Sequence, residues 1–492
     1  MPNGVARVYP ASGATAMLPM TPDNNYTQTI LFCGGSDMPA DDYGDYSFPA
    51  INTFYYPASA DCQRITPEPQ DGSSPTYVQD DDMLNPRTMG QFIALPDGTL
   101  LVVNGGQNGT AGYAQATGQT PLFGDMPYGE SLASAPVLTP AIYNPNAPSG
   151  SRWSNSGLSA ASLPRLYHSS ALLLPDASVL IAGSNPNIDV NTSTYFPTTY
   201  TAERFYPPYF SASTRPIPQN VPTTLSYGGS YFNVTVPSSS YSGPANDAAS
   251  NTSVWLMRPG FTTHAMNMGQ RAMALNTSYT VNSDGSFVLH VSQPPPNPNL
   301  LQPGPVFVFV TVNGIPSNGT LAIVGNGQFG DQPTTDQQPL PDPVRLDSAS
   351  GSANSNGSAS SDTSSSGGSS HTGIVIGAII GAIVIVGVVG AGIGIFLQRR
   401  RRSAAASARS AYEKQAGGLP GLGSMRQNRD SDGAFIPLQA NRSETWNASS
   451  ASLARAASPY KDTPAQSGEF DPYGQEVQRM STSGRDQRRY QY

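Results

Sequence analysis

The residues with the clearest chemical potential in this chain are a tyrosine and a histidine that follow one another, Tyr167 and His168. Imidazole nitrogen suits copper, and a phenolate is a hard oxygen donor. His264, in a turn-rich stretch further along, would add a second imidazole. A tyrosine beside a histidine suggests a transition metal, although spacing by itself does not identify a metal site here. The alternative left open by spacing alone is that Tyr167 and His168 pack in a core and His264 lies on the surface.

The other two histidines of the chain suit other roles. His290 occurs in a run of alternating apolarity, which is typical of a strand and favours a structural role. His371 lies in a Ser-rich stretch. Neither is therefore counted among the candidate ligands.

The elements that must position Tyr167 and His168 belong to a repeat. Arg87 is followed by IALPDGTLLVVNGG (93–106), and Arg165 is followed by LLLPDASVLIAG (172–183); ILFCGG (30–35) is a third copy of the strand end. Each unit reads as a strand, a Pro-Asp turn, a second strand and a Gly-rich end. This hairpin pattern predicts β-propeller blades.

The second copy differs from the first in its spacing, because one more residue separates its arginine from Leu-Pro-Asp. A one-residue insertion at a strand start predicts a β-bulge. Adjacent strand residues normally face opposite sides of a sheet. A bulge would let Tyr167 and His168 face the same way, toward a propeller axis.

The overall fold class is predicted to be all-β, a partial seven-bladed (kelch-type) propeller followed by an immunoglobulin-like sandwich and a single transmembrane helix. Kelch-type blades take about 50 residues each, so the first 215 residues hold three or four. Residues 223–324 contain strands of alternating apolarity joined by short turns, which is typical of a sandwich domain. Four of these strands are predicted at 232–236, 253–257, 287–291 and 306–312.

The segment 373–397 carries no charge and is followed by four arginines, 399–402. It is long enough to cross a hydrocarbon core of about 30 Å, and the arginines would keep its C-terminal side cytoplasmic. Two GxxxG pairs, 377/381 and 390/394, leave a helix–helix dimer open. The predicted parts are a propeller (1–215), a sandwich (216–330), a Ser/Gly-rich stalk (331–372), a membrane helix (373–397) and a disordered cytoplasmic tail (398–492).

Charge is distributed unevenly along the chain. After Gln398 there are 15 basic and 9 acidic residues, a net charge of +6, whereas the preceding part has 10 and 24, a net of −14. An acidic ectodomain argues against a nucleic-acid partner, which requires a basic surface. The chain is thus predicted to be a single-pass plasma-membrane protein with its acidic part outside.

Secretory features support that topology. Eight Asn-x-Ser/Thr sequons precede the apolar segment, which favours a lumenal location for this part. In such a compartment Cys33 and Cys62 are candidates for a disulfide. No apolar signal-peptide region follows Met1, and we expect the true N-terminus to lie upstream. The sequons are at Asn25, Asn108, Asn191, Asn233, Asn251, Asn276, Asn318 and Asn356.

Three motifs, in order, carry a resemblance that covers residues 7–325. They are PRLYHSSALLLPD (164–176), TTHAMNMGQR (262–271) and PGPVFVFVTVNGIPS (303–317). This stretch resembles the C-terminal part of fungal glyoxal oxidases, members of the galactose oxidase-like copper radical oxidase family. The resemblance implies a seven-bladed propeller followed by an immunoglobulin-like domain, one loop of which sends a histidine up the propeller axis to copper.

The same resemblance assigns roles to residues. Tyr167 is similar to the family's axial tyrosine, which acts as a base toward substrate, and His168 and His264 are similar to its two imidazole ligands. The implied reaction oxidises small aldehydes such as glyoxal or methylglyoxal to acids and reduces O2 to hydrogen peroxide.

The family also uses a tyrosine cross-linked to cysteine as a radical cofactor, and no such pair is found in this chain. That half of the site is expected in earlier blades, so the chain is interpreted as N-terminally truncated. We therefore expect it to be inactive alone. The alternative function is a non-catalytic carbohydrate-binding or adhesion ectodomain at the cell surface.

Overall fold

The computed structural model of the chain describes residues 2–39, 42, 52–114, 126–264 and 266–346 and the backbone of 435–438. The first sheet lies near the N-terminus. Its four strands pair antiparallel in chain order, as a propeller blade does. Short 3-10 turns at Pro2–Gly4 and Thr53–Tyr55 flank it. The strands are β1 (Ala14–Met17), β2 (Ile30–Cys33), β3 (Cys62–Ile65) and β4 (Tyr77–Gln79).

The second sheet contains the first Leu-Pro-Asp-Gly repeat. A long hairpin leaves this sheet after its second strand, so the strand order is β10-β9-β6-β5. All residues of β5 and β6 are buried. The strands are β5 (Gln91–Ala94) and β6 (Leu100–Val103), the hairpin strands β7 (Gly106–Tyr113) and β8 (Pro127–Pro136), then β9 (Ala141–Tyr143) and β10 (Trp153–Ser154).

The third sheet contains the second repeat and includes a distant strand. Its chain-order strands are β11 (Ser169–Leu173), β12 (Val179–Gly183) and β13 (Ala202–Phe205), and a 3-10 turn at Pro208–Ser211 follows. A fourth strand, Phe435–Leu438, pairs antiparallel with β13. The described residues therefore form three four-stranded sheets of blade type, and the ring is not closed within them.

Two further sheets form the sandwich, and their strands enclose a core of their own. The larger has the order β14-β25-β23-β17-β20, and the smaller β16-β22-β21. The strands and the single helix of this region are β14 (Thr224–Leu225), β15 (Tyr227–Gly229), β16 (Phe232–Val236), α1 (Ala245–Ser250), β17 (Thr252–Arg258), β18 (Phe261–Thr263), β19 (Met266–Met268), β20 (Arg271–Leu275), β21 (Thr277–Val281), β22 (Phe287–Val291), β23 (Gly304–Val312), β24 (Ile315–Pro316), β25 (Thr320–Val324) and β26 (Thr334–Gln337); the strand at Phe435–Leu438 is β27.

The strands predicted at 232–236, 253–257, 287–291 and 306–312 are confirmed within one or two residues. At 232–236 and 287–291 burial alternates along the strand, as the sequence pattern does. The strands at 253–257 and 306–312 are buried on both faces for most of their length. A 3-10 turn at Ser238–Ser240 follows the strand at 232–236.

The sandwich packs directly on the blades. Trp255 and Phe309 of the sandwich belong to the same buried cluster as the strands of the first three sheets. Gly98, in the Pro-Asp-Gly turn of the second sheet, lies so close to Trp255 that an added Cβ would be 3.0 Å from the indole ring. Thr311 also donates a hydrogen bond to the carbonyl of Pro96, at 2.5 Å. The two regions therefore share an apolar interface.

The predicted stalk is wrong for its first part. Residues of β26 pair in parallel with β15, and the amide of Gln338 donates to the carbonyl of Gly229, at 3.0 Å. Val344 bridges to Thr280 on the sandwich. Polar composition predicted a flexible chain, but extended backbone can dock through its amides and carbonyls whatever its side chains. The rest of the stalk lies outside the described residues.

The predicted tail is wrong for Phe435–Leu438, since these residues form a strand. The predicted membrane helix, 373–397, lies outside the described residues, as does the remainder of the tail. Among the residues that are described, no helix has the length and apolarity needed to cross a membrane.

The two cysteines lie directly opposite each other on β2 and β3 and are joined by a disulfide of 2.05 Å. Both side chains are fully buried. The bond closes a loop between residues 29 positions apart, and it fixes the inner strands of the first sheet.

Candidate metal centre

Tyr167 and His168 lie in the turn that leads into β11. The amide of Ser169 donates to the carbonyl of Leu166, at 3.2 Å, and His168 has a φ of +63°. The predicted β-bulge is wrong, because the β11–β12 ladder keeps its register from Ser169↔Gly183 to Leu173↔Val179. A left-handed residue stands just before the strand instead, next to the Tyr167 ring. The Tyr167 and His168 rings stack with centroids 3.8 Å apart. Met89, in the corresponding turn of the second sheet, has a similar φ of +57°.

A buried ion pair holds this turn from behind. The guanidinium of Arg165 donates to Glu203 Oε2 at 2.9 Å, and both side chains are almost completely buried. It also donates to the carbonyls of Gly183 and Thr201, at 2.6 and 3.0 Å. Because Arg165 precedes Tyr167 by two residues, these bonds fix the backbone that presents the tyrosine and histidine.

His264 reaches the same region at the tip of the β18–β19 hairpin, with a φ of +52°. The hairpin belongs to the sandwich region but inserts between strands of two blades. Thr262 donates to the carbonyl of Ala171 in β11, at 3.3 Å. On the other side, Asn267 donates to the carbonyl of Phe92 in β5, at 3.3 Å.

Gln270 completes this attachment of the hairpin to the second sheet. Its side-chain oxygen accepts from the amide of Ala94 at 2.8 Å, and its side-chain nitrogen donates to the carbonyl of Phe92 at 3.2 Å. Bonds to two neighbouring blades therefore determine where the hairpin tip lies.

The three predicted site residues do come together. The His264 ring lies 6.0 Å from the Tyr167 ring and 6.2 Å from the His168 ring, measured between centroids. Tyr9, which the sequence reasoning missed, joins them. Its hydroxyl is 3.3 Å from that of Tyr167, and its ring meets His264 edge-on at 5.2 Å. Tyr113 packs behind Tyr167, with centroids 6.3 Å apart.

The surroundings of both imidazoles favour binding of a metal ion through a ring nitrogen. Desolvation lowers the pKa of His168, a hydrogen bond with the backbone of Asn185 raises it, and the proximity of His264 lowers it, so the net direction is downward. A lower pKa favours the neutral ring, which is the form that binds metals. In His264, Nδ1 lies 2.8 Å from Thr263 Oγ1, which leaves Nε2 for a ligand.

The donor set fits copper better than a carboxylate-binding metal. No cluster of three or more His, Cys, Asp and Glu residues exists within the described ranges. Two imidazoles and the Tyr167 phenol are a mixed nitrogen–oxygen set of the kind Cu(II) accepts. Tyr167 is buried, whereas the two histidine rings and half of Tyr9 are exposed, so the centre opens to solvent. Both cysteines are joined to each other, so neither is available for a thioether to tyrosine.

A repeated spacing could have revealed Tyr9. Each blade carries an arginine that is followed two residues later by a side chain near the centre: Tyr9 after Arg7, Met89 after Arg87 and Tyr167 after Arg165. The first blade lacks the Leu-Pro-Asp turn that marks the other two repeats, so that turn does not reveal its arginine.

The fold and the site together define an all-β protein with a candidate copper–tyrosine centre. Comparison with family models is more specific. Residues 1–209 match the family described as "Glyoxal oxidase N-terminus", and residues 215–324 match "Galactose oxidase-like, Early set domain". The chain is therefore similar, over two adjacent regions, to glyoxal oxidase-like and galactose oxidase-like proteins.

Several curated relatives support the similarity. Aldehyde oxidase GLOX1 of Arabidopsis thaliana is 31% identical over 329 residues, covering 64% of this chain and 48% of the relative. Aldehyde oxidase GLOX of Vitis pseudoreticulata is 33% identical over 320 residues, covering 64% and 53%. Galactose oxidase of Gibberella zeae is 27% identical over 249 residues, covering 50% and 31%. The chain thus spans about half the length of the plant relatives.

One solved structure aligns with the chain as well. It is described as a novel fungal alcohol oxidase with catalytic diversity among the AA5 family, in complex with copper. It is 20% identical, with a TM-score of 0.45, and the alignment covers 64% of this chain and 54% of that one.

Proposed function

We propose that the chain forms part of a copper radical oxidase that oxidises small aldehydes, such as glyoxal or methylglyoxal, to carboxylic acids. The observation that carries the proposal is the convergence of Tyr167, His168 and His264 from a blade and from the sandwich hairpin. The family-model matches to residues 1–209 and 215–324 support the same reading.

In the proposed centre His168 and His264 hold the copper, and Tyr167 is placed to take a proton from substrate. The aldehyde enters as its hydrate, which loses two electrons and two protons to become the acid, while O2 gains them as hydrogen peroxide. When bound, copper together with a side-chain radical supplies the two redox equivalents. The exposed histidine rings leave their side of the site open to a small hydrated aldehyde, and the buried Tyr167 ring lies beside them.

Two measurements test the proposal. The first is Cu(II) affinity of the purified chain by calorimetry, compared with His168→Ala plus His264→Ala. Affinity that survives the double substitution contradicts the ligand assignment. The second is peroxide production from methylglyoxal after copper loading. Because both cysteines are in the disulfide, we expect little or no peroxide from this chain alone, and rapid turnover would show that it needs no thioether radical.

A groove elsewhere favours the alternative, a carbohydrate-binding ectodomain. It has a volume of about 470 Å³ and lies between the first two sheets and the sandwich. Hydroxyl and amide groups dominate its lining, which suits a polyhydroxylated ligand. Binding to a glycan array that is abolished by Arg64→Ala plus Asn146→Ala, with copper affinity unchanged, would support this function. The lining includes Thr21, Asn24, Thr29, Arg64, Thr76 and Asn146.

We also propose that the oxidase region is extracellular and anchored by 373–397, on the support of that segment's apolarity and the arginines that follow it. A span there would put Phe435–Leu438 on the opposite side of the bilayer from β13, so the anchor and the β13–β27 pairing exclude each other. A C-terminal epitope tag distinguishes a membrane anchor at 373–397 from the β13–β27 pairing. Staining only after permeabilisation supports the anchor, and staining of intact cells contradicts it.

A further inference from the structure

Arg258 and Arg271 form a pair of like charges on the larger sheet of the sandwich. They lie directly opposite each other in the β17–β20 ladder, at the base of the hairpin whose tip carries His264. Side chains in such positions have Cβ atoms about 4.5–5.5 Å apart, and like charges there are destabilising. The pair therefore carries a cost that an anion beside the two guanidinium groups would remove.

No carboxylate of the described residues neutralises this pair, because the ion pairs found there involve other side chains. Arg258 instead donates to the carbonyls of Gln302 and Pro305, at 2.5 and 3.3 Å. Arg271 donates to the carbonyl of Gln270, at 2.9 Å, and its Nε is buried without a partner in the described part of the chain. A guanidinium has five N–H donors, so both side chains keep donors for an anion.

Both arginines are also partly removed from water. Burial lowers the pKa of Arg271. Burial is also the largest cause that lowers the pKa of Arg258, while the nearby Tyr227 raises it and Arg271 lowers it. Arginine nevertheless stays protonated at neutral pH, so both charges persist. An anion would interact with them more strongly than with fully solvated guanidinium groups, because screening by water is weaker there.

Arg258 lines a cavity of about 440 Å³, formed by residues from the end of β17 and the starts of β23 and β25. Sites for small molecules have volumes of about 300–1,000 Å³ and combine an apolar lining with a few polar groups. Apart from the arginine, the described lining is apolar, and three of its residues are prolines, whose fixed φ restricts the wall. A restricted wall loses little freedom when a ligand binds. These residues are Pro259, Pro303, Pro305, Val306, Phe307 and Leu321.

We propose that this cavity binds an organic monocarboxylate with an apolar tail. The carboxylate is held by Arg258 and Arg271, and the tail lies against Phe307 and Leu321. Hydrogen bonds from guanidinium to carboxylate are charge-assisted and often bidentate, which favours a carboxylate over a neutral ligand. The apolar lining favours a tail over a short or inorganic anion. The inference goes beyond the proposed oxidase function and requires neither copper nor turnover.

The test uses the purified full-length chain with octanoate as the probe, and it measures affinity by calorimetry and stability by the melting temperature. Octanol, which has the tail without the charge, and acetate, which has the charge without the tail, are the comparison ligands. We expect octanoate to bind at least about tenfold more tightly than either. We also expect it to raise the melting temperature, because a ligand of the folded state stabilises that state.

Two variants separate recognition from folding. Arg271→Gln should weaken octanoate binding at least about tenfold, yet the ligand-free protein should be no less stable than the parent, because a like-charge contact is removed. Leu321→Glu places a negative charge at an exposed position of the lining and should weaken octanoate binding without lowering the melting temperature. The matched control is Arg345→Gln, at an exposed arginine outside the cavity, which should bind octanoate as the parent does.

Three results would overturn the proposal. They are no binding of octanoate to the parent, equal affinity for octanoate and octanol, and full octanoate affinity in Arg271→Gln. A lower melting temperature of ligand-free Arg271→Gln together with retained octanoate affinity would assign the arginine a structural role instead. Cu(II) affinity should be unchanged in Arg271→Gln and Leu321→Glu, because neither residue belongs to the candidate metal centre. Failure of octanoate binding therefore leaves the proposed function standing.

Discussion

Replacing Glu203 by Gln should destabilise the chain by about 3–5 kcal/mol, because it leaves the buried charge of Arg165 without its counter-ion. The side chains of the pair are 1% and 0% exposed. Arg87 gives an independent measure of what it costs to bury a charged guanidinium. It is equally buried, its guanidinium donates to the carbonyls of Asn104 and Thr139, and desolvation lowers its pKa to about 9. At about 1.4 kcal/mol per pKa unit, that desolvation is worth about 5 kcal/mol.

The assay is urea unfolding followed by tyrosine and tryptophan fluorescence. With a slope of about 3 kcal/mol per M, Glu203→Gln should lower the midpoint by roughly 1–2 M. Asp247→Asn is the control, since its ion pair with Arg345 is 3.8 Å long and exposed on both sides; such pairs contribute about 0–1 kcal/mol. A midpoint for Glu203→Gln as close to the parent as that of the control would refute the reasoning.

A second variant tests whether the loss of stability comes from the unpaired charge of Arg165. Arg165→Met combined with Glu203→Leu removes both charges, and buried ion pairs replaced by apolar groups often cost little. Recovery should be partial here, because the carbonyls of Gly183 and Thr201 lose the donor that Arg165 gives them. No recovery at all would indicate that packing, not charge, dominates at this site.

Three further predictions concern the fold. Cys33→Ser with Cys62→Ser should cost about 3–4 kcal/mol in urea unfolding, because the disulfide closes a loop between residues 29 positions apart. Ala177→Gly should raise stability by about 0.5–1 kcal/mol, since Ala177 has a φ of +70°, whereas Gly98→Ala at the equivalent turn should lower it, because the added methyl carbon would be 3.0 Å from a tryptophan ring. Burial lowers the pKa of His290, so the unfolded state binds its proton more readily and stability should fall between pH 7 and pH 5. His290→Gln should flatten that part of the urea-midpoint profile, and a profile unchanged by the substitution would contradict the assignment.

Much of the fold was predictable because its signals are local. The Leu-Pro-Asp turns and the alternating strands of the sandwich are short-range patterns, and β5, β6, β22 and β23 follow from them. The docking of β26 and β27 was not predictable in this way. The residues of β26 are polar and exposed, and both strands are recorded by backbone pairing with an edge that lies far away in the sequence.

The candidate site was predicted in part. His264 and Tyr167 could be named because family motifs surround them, and the structure brings their rings within 6.0 Å. The means of positioning was predicted wrongly, since a left-handed residue at His168 replaces the expected bulge. Tyr9 was missed because its relation to the site is a contact across blades, and only the Arg-x-Tyr spacing after Arg7 records it in the sequence.

Backbone strain at the two histidines is weaker support for a metal centre than it first suggests. A left-handed non-glycine residue costs about 1–2 kcal/mol, and such residues often cluster at functional sites. Met89, however, has the same left-handed conformation in a blade turn that carries neither an imidazole nor a phenol. At His168 the conformation therefore belongs to the blade repeat. What distinguishes the centre is that a blade and a hairpin from the sandwich bring two imidazoles and the Tyr167 phenol to one place. Substitutions that separate donor chemistry from shape, such as Tyr167→Phe, address that convergence directly.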